Sequence, residues 1–472
     1  MTYYSLVFPL FFAAAVLLFW VVPPRARGVV LLAAGIWYMA SWGMASLSVL
    51  AAVTVLTWAC GRGMAASHTT AARRVWLILG LAASAGYLFA RKAVPLVHPG
   101  AVLVTATGLA FYGLQAASYL ADVYLGRCQV ENSLLRYAVY TSFFPRVLSG
   151  PIGRAGEFFP QLEELCSGRR RCDVARLQRG LVTMLGGWAE KLVLADLLSD
   201  WVTQVYGRWT ECSSPVVLAG GLLLSFSLYF DFVGYSHLAL GAARVLGFDL
   251  PANFRRPFFA QSMSELWQRW HISLSTWLRD YIYIPLGGGR RGLPRRMFNL
   301  LAVFLISGLW HGSAWHFLFW GLLHALLQIA GLLTRPLRRP LAGRGGAPMV
   351  WVRRAFVTLC FGFTVVFFNA DSMAQALGML GRMFAGQAGL GPLDLGVSGT
   401  ELAFAAAALA VVFVLDCIAE RAEARGSGLY ETFLTLPGAV RVAALLVLAV
   451  TVLLFACRLV GGDAASFYYA QF

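Results

Sequence analysis

The chain has 472 residues, of which 59% are hydrophobic and only 13% charged, and its formal net charge is +16. Soluble domains carry about 25% charged residues, so this composition excludes an ordinary soluble protein and predicts an all-α, polytopic membrane protein. The positive charge is almost entirely arginine, spread between apolar runs and not gathered on one basic surface. This pattern argues against nucleic-acid binding and fits the excess of arginine in cytoplasmic loops.

Apolar runs close to the ~20 residues needed to cross a bilayer recur along the chain. They predict a single domain over residues 1–472, with about ten to twelve transmembrane helices in the lipid bilayer. The arginine-rich segments place the N-terminus outside and put 290–296 and 335–354 in the cytoplasm. The predicted spans are 3–22, 28–45, 46–60, 74–90, 101–121, 178–204, 215–245, 297–334 (a hairpin), 355–370, 401–418 and 438–457.

Residues 262–283 combine ionisable side chains with many Trp, Tyr, Ile and Leu residues. Ser262 and Glu265 have the spacing of a capping box, which predicts a helix start. Apolar residues then recur every three or four positions, so we predict one two-faced amphipathic helix that ends at Gly287. His271 falls on the edge of its aromatic face. Ionisable groups are expensive in or near hydrocarbon, so this segment is a candidate functional site.

The predicted hairpin 297–334 must enter the membrane and return, because arginine-rich segments flank it on both sides. Its turn falls near His311, within the sequence Gly308-Leu-Trp-His-Gly312. A buried histidine can be a hydrogen-bonded core residue, but two such histidines suggest proton transfer inside the membrane. We expect His324 to have a supporting or packing role and His316 to be incidental. A short helix is also predicted over 371–384, between two loops rich in glycine.

The cysteines form no Cys-x-x-Cys pair, and no histidine lies at metal-ligand spacing from them. Most lie in or beside apolar runs, where a free cysteine behaves as a small hydrophobic residue. We therefore predict no metal, no structural disulfide and no tightly bound cofactor.

Several motifs together resemble the membrane-bound O-acyltransferase (MBOAT) superfamily. The resemblance is to its bacterial branch of alginate and exopolysaccharide O-acetylation proteins and the teichoic-acid D-alanylation protein. It extends through most of the chain. The motifs are Phe143-Phe-Pro145, Ser149-Gly-Pro-Ile152, Lys191 with Ala195-Asp196, Phe230-Asp-Phe-x-Gly-Tyr-Ser236, Gly247-Phe-x-x-Pro-x-Asn253-Phe, 267–288, Gly308-Leu-Trp-His-Gly312, Trp320-Gly and His324.

The resemblance implies a ring of tilted helices around a central tunnel, with re-entrant or amphipathic helices. A cytoplasmic acyl thioester and an extracytoplasmic acceptor would meet in this tunnel. It also implies that His311 is catalytic and that His271 is its partner, acting directly or only by orienting it. The remaining candidates, which would line the tunnel or position the donor, are Arg269, Trp270, Ser273, Ser275, Arg279, Asp280, Trp310 and His324.

The chain ends in Phe467-x-Tyr469-x-x-Phe472, and residues 467–472 are predicted to lie outside the membrane. This motif resembles the terminus of some bacterial MBOAT proteins, which implies that Tyr469 is a candidate acyl carrier. The competing interpretation is that Tyr469 is an aromatic anchor at the membrane interface.

The resulting hypothesis is an O-acyltransferase of the bacterial plasma membrane, acting in O-acylation of an extracellular or cell-wall polysaccharide. Acetyl-CoA, another acyl-CoA or an acyl-carrier protein would be the donor, and an extracytoplasmic SGNH-type acyltransferase would be the partner. The alternatives are D-alanyl transfer to teichoic acid, a transporter or flippase without acyl chemistry, and a scaffold that docks an extracytoplasmic enzyme.

Overall fold

The fold is all-α, which confirms the predicted class. The computed structural model describes residues 1–5, 7–98, 100–101, 103–338 and 346–460, and within these ranges it contains no strand beyond an isolated bridge between Cys212 and Leu390. The C-terminal motif 467–472, with Tyr469, lies outside the described residues. The single-domain assignment stays a prediction.

The helices of the first half are α1 Val7–Val21, α2 Arg27–Ala40, α3 Met44–Ala66, α4 Thr70–Leu81, α5 Tyr87–Val97, α6 Leu109–Tyr124, α7 Leu134–Ser142, α8 Ala155–Cys166, α9 Val174–Trp188, α10 Asp196–Gly207 and α11 Ser214–Val245. Those of the second half are α12 Met263–Arg269, α13 Ile272–Leu278, α14 Gly292–His311, α15 Trp315–Leu333, α16 Arg335–Arg338, α17 Gly346–Asn369, α18 Met373–Phe384, α19 Gly399–Ala424, α20 Leu429–Leu434 and α21 Gly438–Val460. Short π-helical turns occupy Ala82–Gly86, Ala189–Ala195 and Arg279–Tyr283, and 3₁₀ turns occupy Pro24–Ala26, Pro257–Phe259 and Leu393–Leu395.

Seven helices of the described chain are long and apolar enough to cross a membrane, which makes the protein multi-pass. This number is lower than the ten to twelve expected, because some predicted spans form shorter helices, among them α2 and α6. The seven are Met44–Ala66, Thr70–Val97, Ser214–Val245, Trp315–Leu333, Gly346–Asn369, Gly399–Ala424 and Gly438–Cys457.

Helix α11 forms the centre of the molecule, and α19 and α21 lie at its periphery. In the most apolar window of α11, 72% of the residues are buried, against 6% in α19 and in α21. Helix α9 packs closely against α11 through glycines: a Cβ on Gly187 would lie 2.7 Å from the carbonyl oxygen of Gly234. Small residues allow this close approach of helix backbones within a membrane.

The centre also holds a buried charge cluster. The Lys191 ammonium lies 2.6 Å from a carboxylate oxygen of Asp231 and 2.7 Å from one of Asp196. Beside it, Glu190 is bonded to the imidazole of His237 at 2.6 Å. Charged groups inside membranes normally pair in this way, so the cluster is explained by structural pairing of helices α9 to α11.

The predicted hairpin 297–334 is confirmed. Helix α14 ends at His311, residues 312–314 form the turn, and α15 returns against α14. A Cβ on Gly308 would overlap the backbone of Phe317, and one on Gly321 would overlap the backbone of Phe304. These glycines therefore set the close crossing that fixes the position of His311. The helix predicted over 371–384 is also present, as α18.

The single helix predicted over 262–283 is wrong. The chain forms α12 and α13, with Trp270 extended between them and His271 in a left-handed conformation at φ 40°. Nearby groups stabilise the break, because the Ile272 amide donates to the Asn253 carbonyl at 2.8 Å and the Ser273 hydroxyl to the Asn253 side chain at 2.6 Å. The periodicity of the apolar residues in 262–283 gives no indication of Asn253, because that residue lies outside the segment.

Candidate active site

His311 is the last residue of α14 and is buried, with 2% of its surface exposed. Its Nδ1 lies 2.7 Å from the carbonyl oxygen of Ser307, one turn earlier in the same helix. A carbonyl oxygen can only accept a hydrogen bond, so Nδ1 carries the proton and Nε2 is the basic nitrogen of the neutral ring. The backbone of α14 therefore selects the tautomer that a proton acceptor needs.

Five side chains pack ring against ring in one continuous row, in which imidazole and indole rings alternate. We call this row the ring file; its members, in order, are His271, Trp310, His311, Trp320 and His324. Successive ring centroids are 5.7, 4.7, 4.9 and 4.7 Å apart. The members come from the α12–α13 break, the end of α14 and the first half of α15. The structure thus brings together four of the predicted site residues, and Trp320, quoted only as part of a motif, completes the file.

His271 has a different environment from His311. Its ring is 1% exposed. It packs edge-on against Phe232, with centroids 4.7 Å apart, and against Trp310, and it stacks on Phe111 at 6.3 Å. Neither of its ring nitrogens has a hydrogen-bond partner among the described residues. A non-glycine residue at positive φ and a buried polar group without a partner are both unfavourable, and both occur preferentially at functional sites.

Asn253 is the support of this strained segment. Besides Ile272 and Ser273, it contacts Ser236 of α11, whose hydroxyl oxygen lies 3.3 Å from its amide nitrogen. The Ser273 hydroxyl in turn accepts a bond from the Ile152 amide at 3.0 Å. One asparagine therefore joins the break to α11 and, through Ser273, to the segment before α8.

His324 has both nitrogens engaged. The Trp267 indole donates to Nδ1 at 3.4 Å, so the proton is on Nε2, which donates to the Thr364 hydroxyl at 3.0 Å. Thr364 then donates to the carbonyl of Phe361. This arrangement fits the predicted supporting role. His316, expected to be incidental, bonds through Nδ1 to the Phe367 carbonyl at 2.8 Å and is not in the file.

The other candidates lie away from the ring file. Arg269 bonds to Glu265 and to Glu420 of α19, and although burial opposes it, these carboxylates hold the pKa of Arg269 above its usual value. Ser275 donates to the Trp270 carbonyl at 3.3 Å. Arg279 is largely exposed and pairs with Asp280.

Trp270 and Asp280 contact residues outside the ring file. The Trp270 ring packs against Phe254 and Phe361. The carboxylate of Asp280 lies 3.3 Å from the guanidinium of Arg154. Of the segment 269–280, His271 has a ring contact within the file. Ser273 bonds to Asn253, which also bonds to the Ile272 amide next to His271.

Access to His311 requires side-chain movement in this structure. Trp310, Trp320 and Phe368 contact its ring, with centroids 4.7 to 5.3 Å away. The predicted tunnel from both faces to His311 therefore stays a prediction.

A model of the membrane-bound O-acyltransferase (MBOAT) family matches residues 37–369 of the chain. This range is well over half the sequence and contains the whole ring file. The chain belongs to the MBOAT family.

Curated MBOAT relatives extend the match. The chain is 33% identical over 385 residues to the "Probable alginate O-acetylase AlgI" of Azotobacter vinelandii, covering 78% of this chain and 74% of that protein. It is 29% identical over 401 residues to a peptidoglycan O-acetyltransferase of Helicobacter pylori, covering 77% and 74%. A teichoic acid D-alanyltransferase of Bacillus subtilis is 26% identical over 242 residues, 49% of this chain and 60% of that protein. The protein is thus an O-acyltransferase and uses an acyl donor.

Sequence reasoning missed the contribution of Asn253 and Glu420. Asn253 belongs to the motif Gly247-Phe-x-x-Pro-x-Asn253-Phe. A polar asparagine between apolar residues was the sequence signal that could have indicated its supporting role. Glu420 bonds Arg256 at 2.7 Å and Arg269 at 3.1 Å. It lies 151 residues from Arg269 and beyond the MBOAT match, so nothing local in the sequence connected them.

Proposed function

We propose that the protein is an O-acetyltransferase of the bacterial plasma membrane that supplies acetyl groups for O-acylation of an extracytoplasmic polysaccharide. The observation that carries the proposal is the meeting of His271 and His311 on one indole, that of Trp310, at the centre of an MBOAT chain. The names of the alginate and peptidoglycan relatives support acetyl as the acyl group and a polysaccharide as the final acceptor.

His311 is the general base in this mechanism. Its Nε2 accepts the proton of the attacking hydroxyl while the hydroxyl oxygen forms a bond to the thioester carbonyl carbon. The carbon–sulfur bond then breaks, and the thiolate takes the proton from the imidazolium, so that an ester and a free thiol result. The bond from Nδ1 to the Ser307 carbonyl supports this role, because it holds the ring in the required tautomer.

His271 acts as the partner of His311 across Trp310. Its ring nitrogens have no hydrogen-bond partner among the described residues. This leaves them available to bind the donor carbonyl or the acceptor hydroxyl once substrates enter. His324, whose two nitrogens are engaged, positions Trp320 and with it His311.

Acetyl-CoA on the cytoplasmic side is the proposed donor, with another acyl-CoA or an acyl-carrier protein as the alternative carrier. Tyr469 is the proposed first acceptor outside the membrane. An extracytoplasmic SGNH-type acyltransferase would then take the acetyl group from this tyrosine and pass it to the polysaccharide.

The test is to incubate the purified protein with radiolabelled acetyl-CoA and to locate the label by mass spectrometry of the C-terminal peptide. We expect an ester at Tyr469 in the wild type and none in His311→Ala or Tyr469→Phe. His316→Ala and Tyr468→Phe are the matched controls and should label normally. Labelling that survives His311→Ala would contradict the role of the histidine, and labelling of another residue would contradict the role of Tyr469.

D-alanyl transfer is the second candidate function, because teichoic acid D-alanyltransferases are among the relatives. Its support is weaker, since those relatives match about half of this chain at 26% identity. Supplying D-alanyl carrier protein in place of acetyl-CoA separates the two functions. Membership of an acyltransferase family also favours the enzyme over the transporter and scaffold hypotheses.

A further inference from the structure

A cavity of about 1500 Å³ lies between α12, α14, α15 and α17, away from the ring file. Its rim lies beside the beginning of α14 and the end of α15, which the distribution of arginines assigns to the cytoplasmic face. Helices α15 and α17 are both candidate membrane spans. The cavity is therefore an opening between transmembrane helices at a membrane surface, and no residue with a role in the proposed acyl transfer is among its described lining residues.

The charge of the cavity is positive. Arg296, Arg335 and Arg353 line it, and Glu265 is the one acidic residue among its described lining residues. The carboxylate of Glu265 is already engaged, since it bonds to Arg269 at 2.9 Å and to the amide of Gln261 at 2.9 Å. The Nε of Arg296 is buried and has no hydrogen-bond partner among the described residues. This arrangement is complementary to an anion, and guanidinium groups bind phosphate especially well.

The walls of the cavity carry apolar side chains, some of which are exposed on the surface of the protein. Leu337, Met349 and Phe356 line it and are 76%, 40% and 65% exposed. A free nucleotide or phosphate would leave these surfaces uncovered, whereas hydrocarbon chains would cover them. Basic pockets between transmembrane helices on the cytoplasmic side bind anionic lipid headgroups.

We propose that this cavity binds an anionic phospholipid of the cytoplasmic leaflet, with its phosphate at Arg296, Arg335 and Arg353 and its acyl chains along Leu337 and Phe356. The site is separate from the ring file, but the same helices carry both. Gln328, at the cavity, lies one turn beyond His324 on α15. Bound lipid would therefore brace the two helices that hold His324 and its partner Thr364.

The experiment titrates the purified, delipidated full chain in detergent with phosphatidylglycerol or phosphatidylcholine and counts bound lipid by native mass spectrometry. We expect the wild type to prefer phosphatidylglycerol. The double variant Arg296→Gln/Arg353→Gln should bind phosphatidylglycerol about 25-fold more weakly, at about fivefold for each arginine removed. The matched control, Arg290→Gln/Arg291→Gln, removes the same charge from exposed positions outside the cavity and should bind as the wild type does.

Four further outcomes decide the proposal. Equal binding of the two lipids, or an equal loss in the control double variant, would overturn it. Glycerophosphoglycerol (the headgroup without chains) and coenzyme A should not displace the bound lipid, and displacement by either would replace the lipid with a soluble phosphate ligand. If the double variant fails to fold, the single variant Arg335→Gln, at an exposed position, should still show the fivefold loss. No acyl donor is used, so failure here leaves the proposed acyl transfer untouched.

Discussion

The two candidate histidines differ in how the chain holds them. His311 ends a regular helix, and its tautomer follows from a bond to the backbone of that helix. His271 lies in a break between helices at positive φ, with no hydrogen bond to either ring nitrogen among the described residues. A side chain fixed by its own helix can be understood from local sequence. One held in a strained conformation depends on distant partners, here Asn253 and the rings of Phe111 and Phe232.

The same contrast suggests a division of roles. The neutral His311 ring is already prepared to accept a proton at Nε2, because Nδ1 is satisfied. The position of His271 is unfavourable in two ways: its backbone is strained, and its buried imidazole has no hydrogen-bond partner among the described residues. Such an arrangement persists only where the surrounding structure maintains it. Substitutions at His311, His271 and their supports test this difference.

The largest effect is expected for His311→Ala. Removing the general base should lower acetyl transfer from acetyl-CoA by about 10²–10⁴-fold. The measurement is the initial rate of thiol release by the purified enzyme. His316→Ala is the control, because His316 makes the same kind of Nδ1 bond to a backbone carbonyl but is outside the ring file. Equal losses in both variants would mean that packing of the α14–α15 hairpin, and not proton transfer, explains the result.

His271 is tested with three substitutions that separate side chain from backbone. If the imidazole takes part in transfer, His271→Asn, His271→Gly and His271→Ala should all lose about 10²-fold in rate, the lower limit for acid–base catalysis. Asn and Gly tolerate positive φ, whereas Ala is disfavoured there by about 1–2 kcal/mol. The Ala variant should therefore also have the lowest melting temperature in detergent. Full activity in the Asn variant would reduce His271 to a purely structural residue.

Three features could be predicted from the sequence: the all-α class, the hairpin that turns after His311, and the helix at 373–384. Each depends on the local periodicity of apolar residues and on the glycine-, proline- or arginine-rich segments that end them. The break at Trp270 could not be predicted, because its cause is Asn253, whose hydrogen bonds compete with helix continuation from outside the segment. Arg269 shows the same limit: its spacing from Glu265 was visible, but its bond to Glu420 comes from a peripheral helix far along the chain. The pairing of His271 with His311 was implied by the resemblance and not by spacing.

Asn253→Ala tests whether the break is held in place from outside. The change removes the acceptor of the Ser273 hydroxyl and the donor to Ser236, within a fully buried region. We expect a loss of about 3 kcal/mol in the free energy of unfolding, because buried groups are left without partners. Ser236→Ala removes only the 3.3 Å contact, leaves a single buried donor without its partner, and should cost about 1 kcal/mol. If the Asn253 variant keeps wild-type stability and rate, the Asn253 side chain does not hold the break, and the ring contacts of His271 with the backbone bond from Ile272 to residue 253 are sufficient.

The smallest effect is expected for Thr364→Val, which removes the acceptor of the His324 Nε2–H while leaving the Trp267 bond intact. The loss of one buried hydrogen bond should lower the free energy of unfolding by about 1 kcal/mol. Thr364→Ser keeps the hydroxyl and is the matched control. If His324 only positions Trp320, as proposed, the rate should fall modestly and the pH dependence of the rate should be unchanged. A shifted pH profile would instead place His324 in the proton path, and the contrast between His311 and its neighbours would then extend along the whole file.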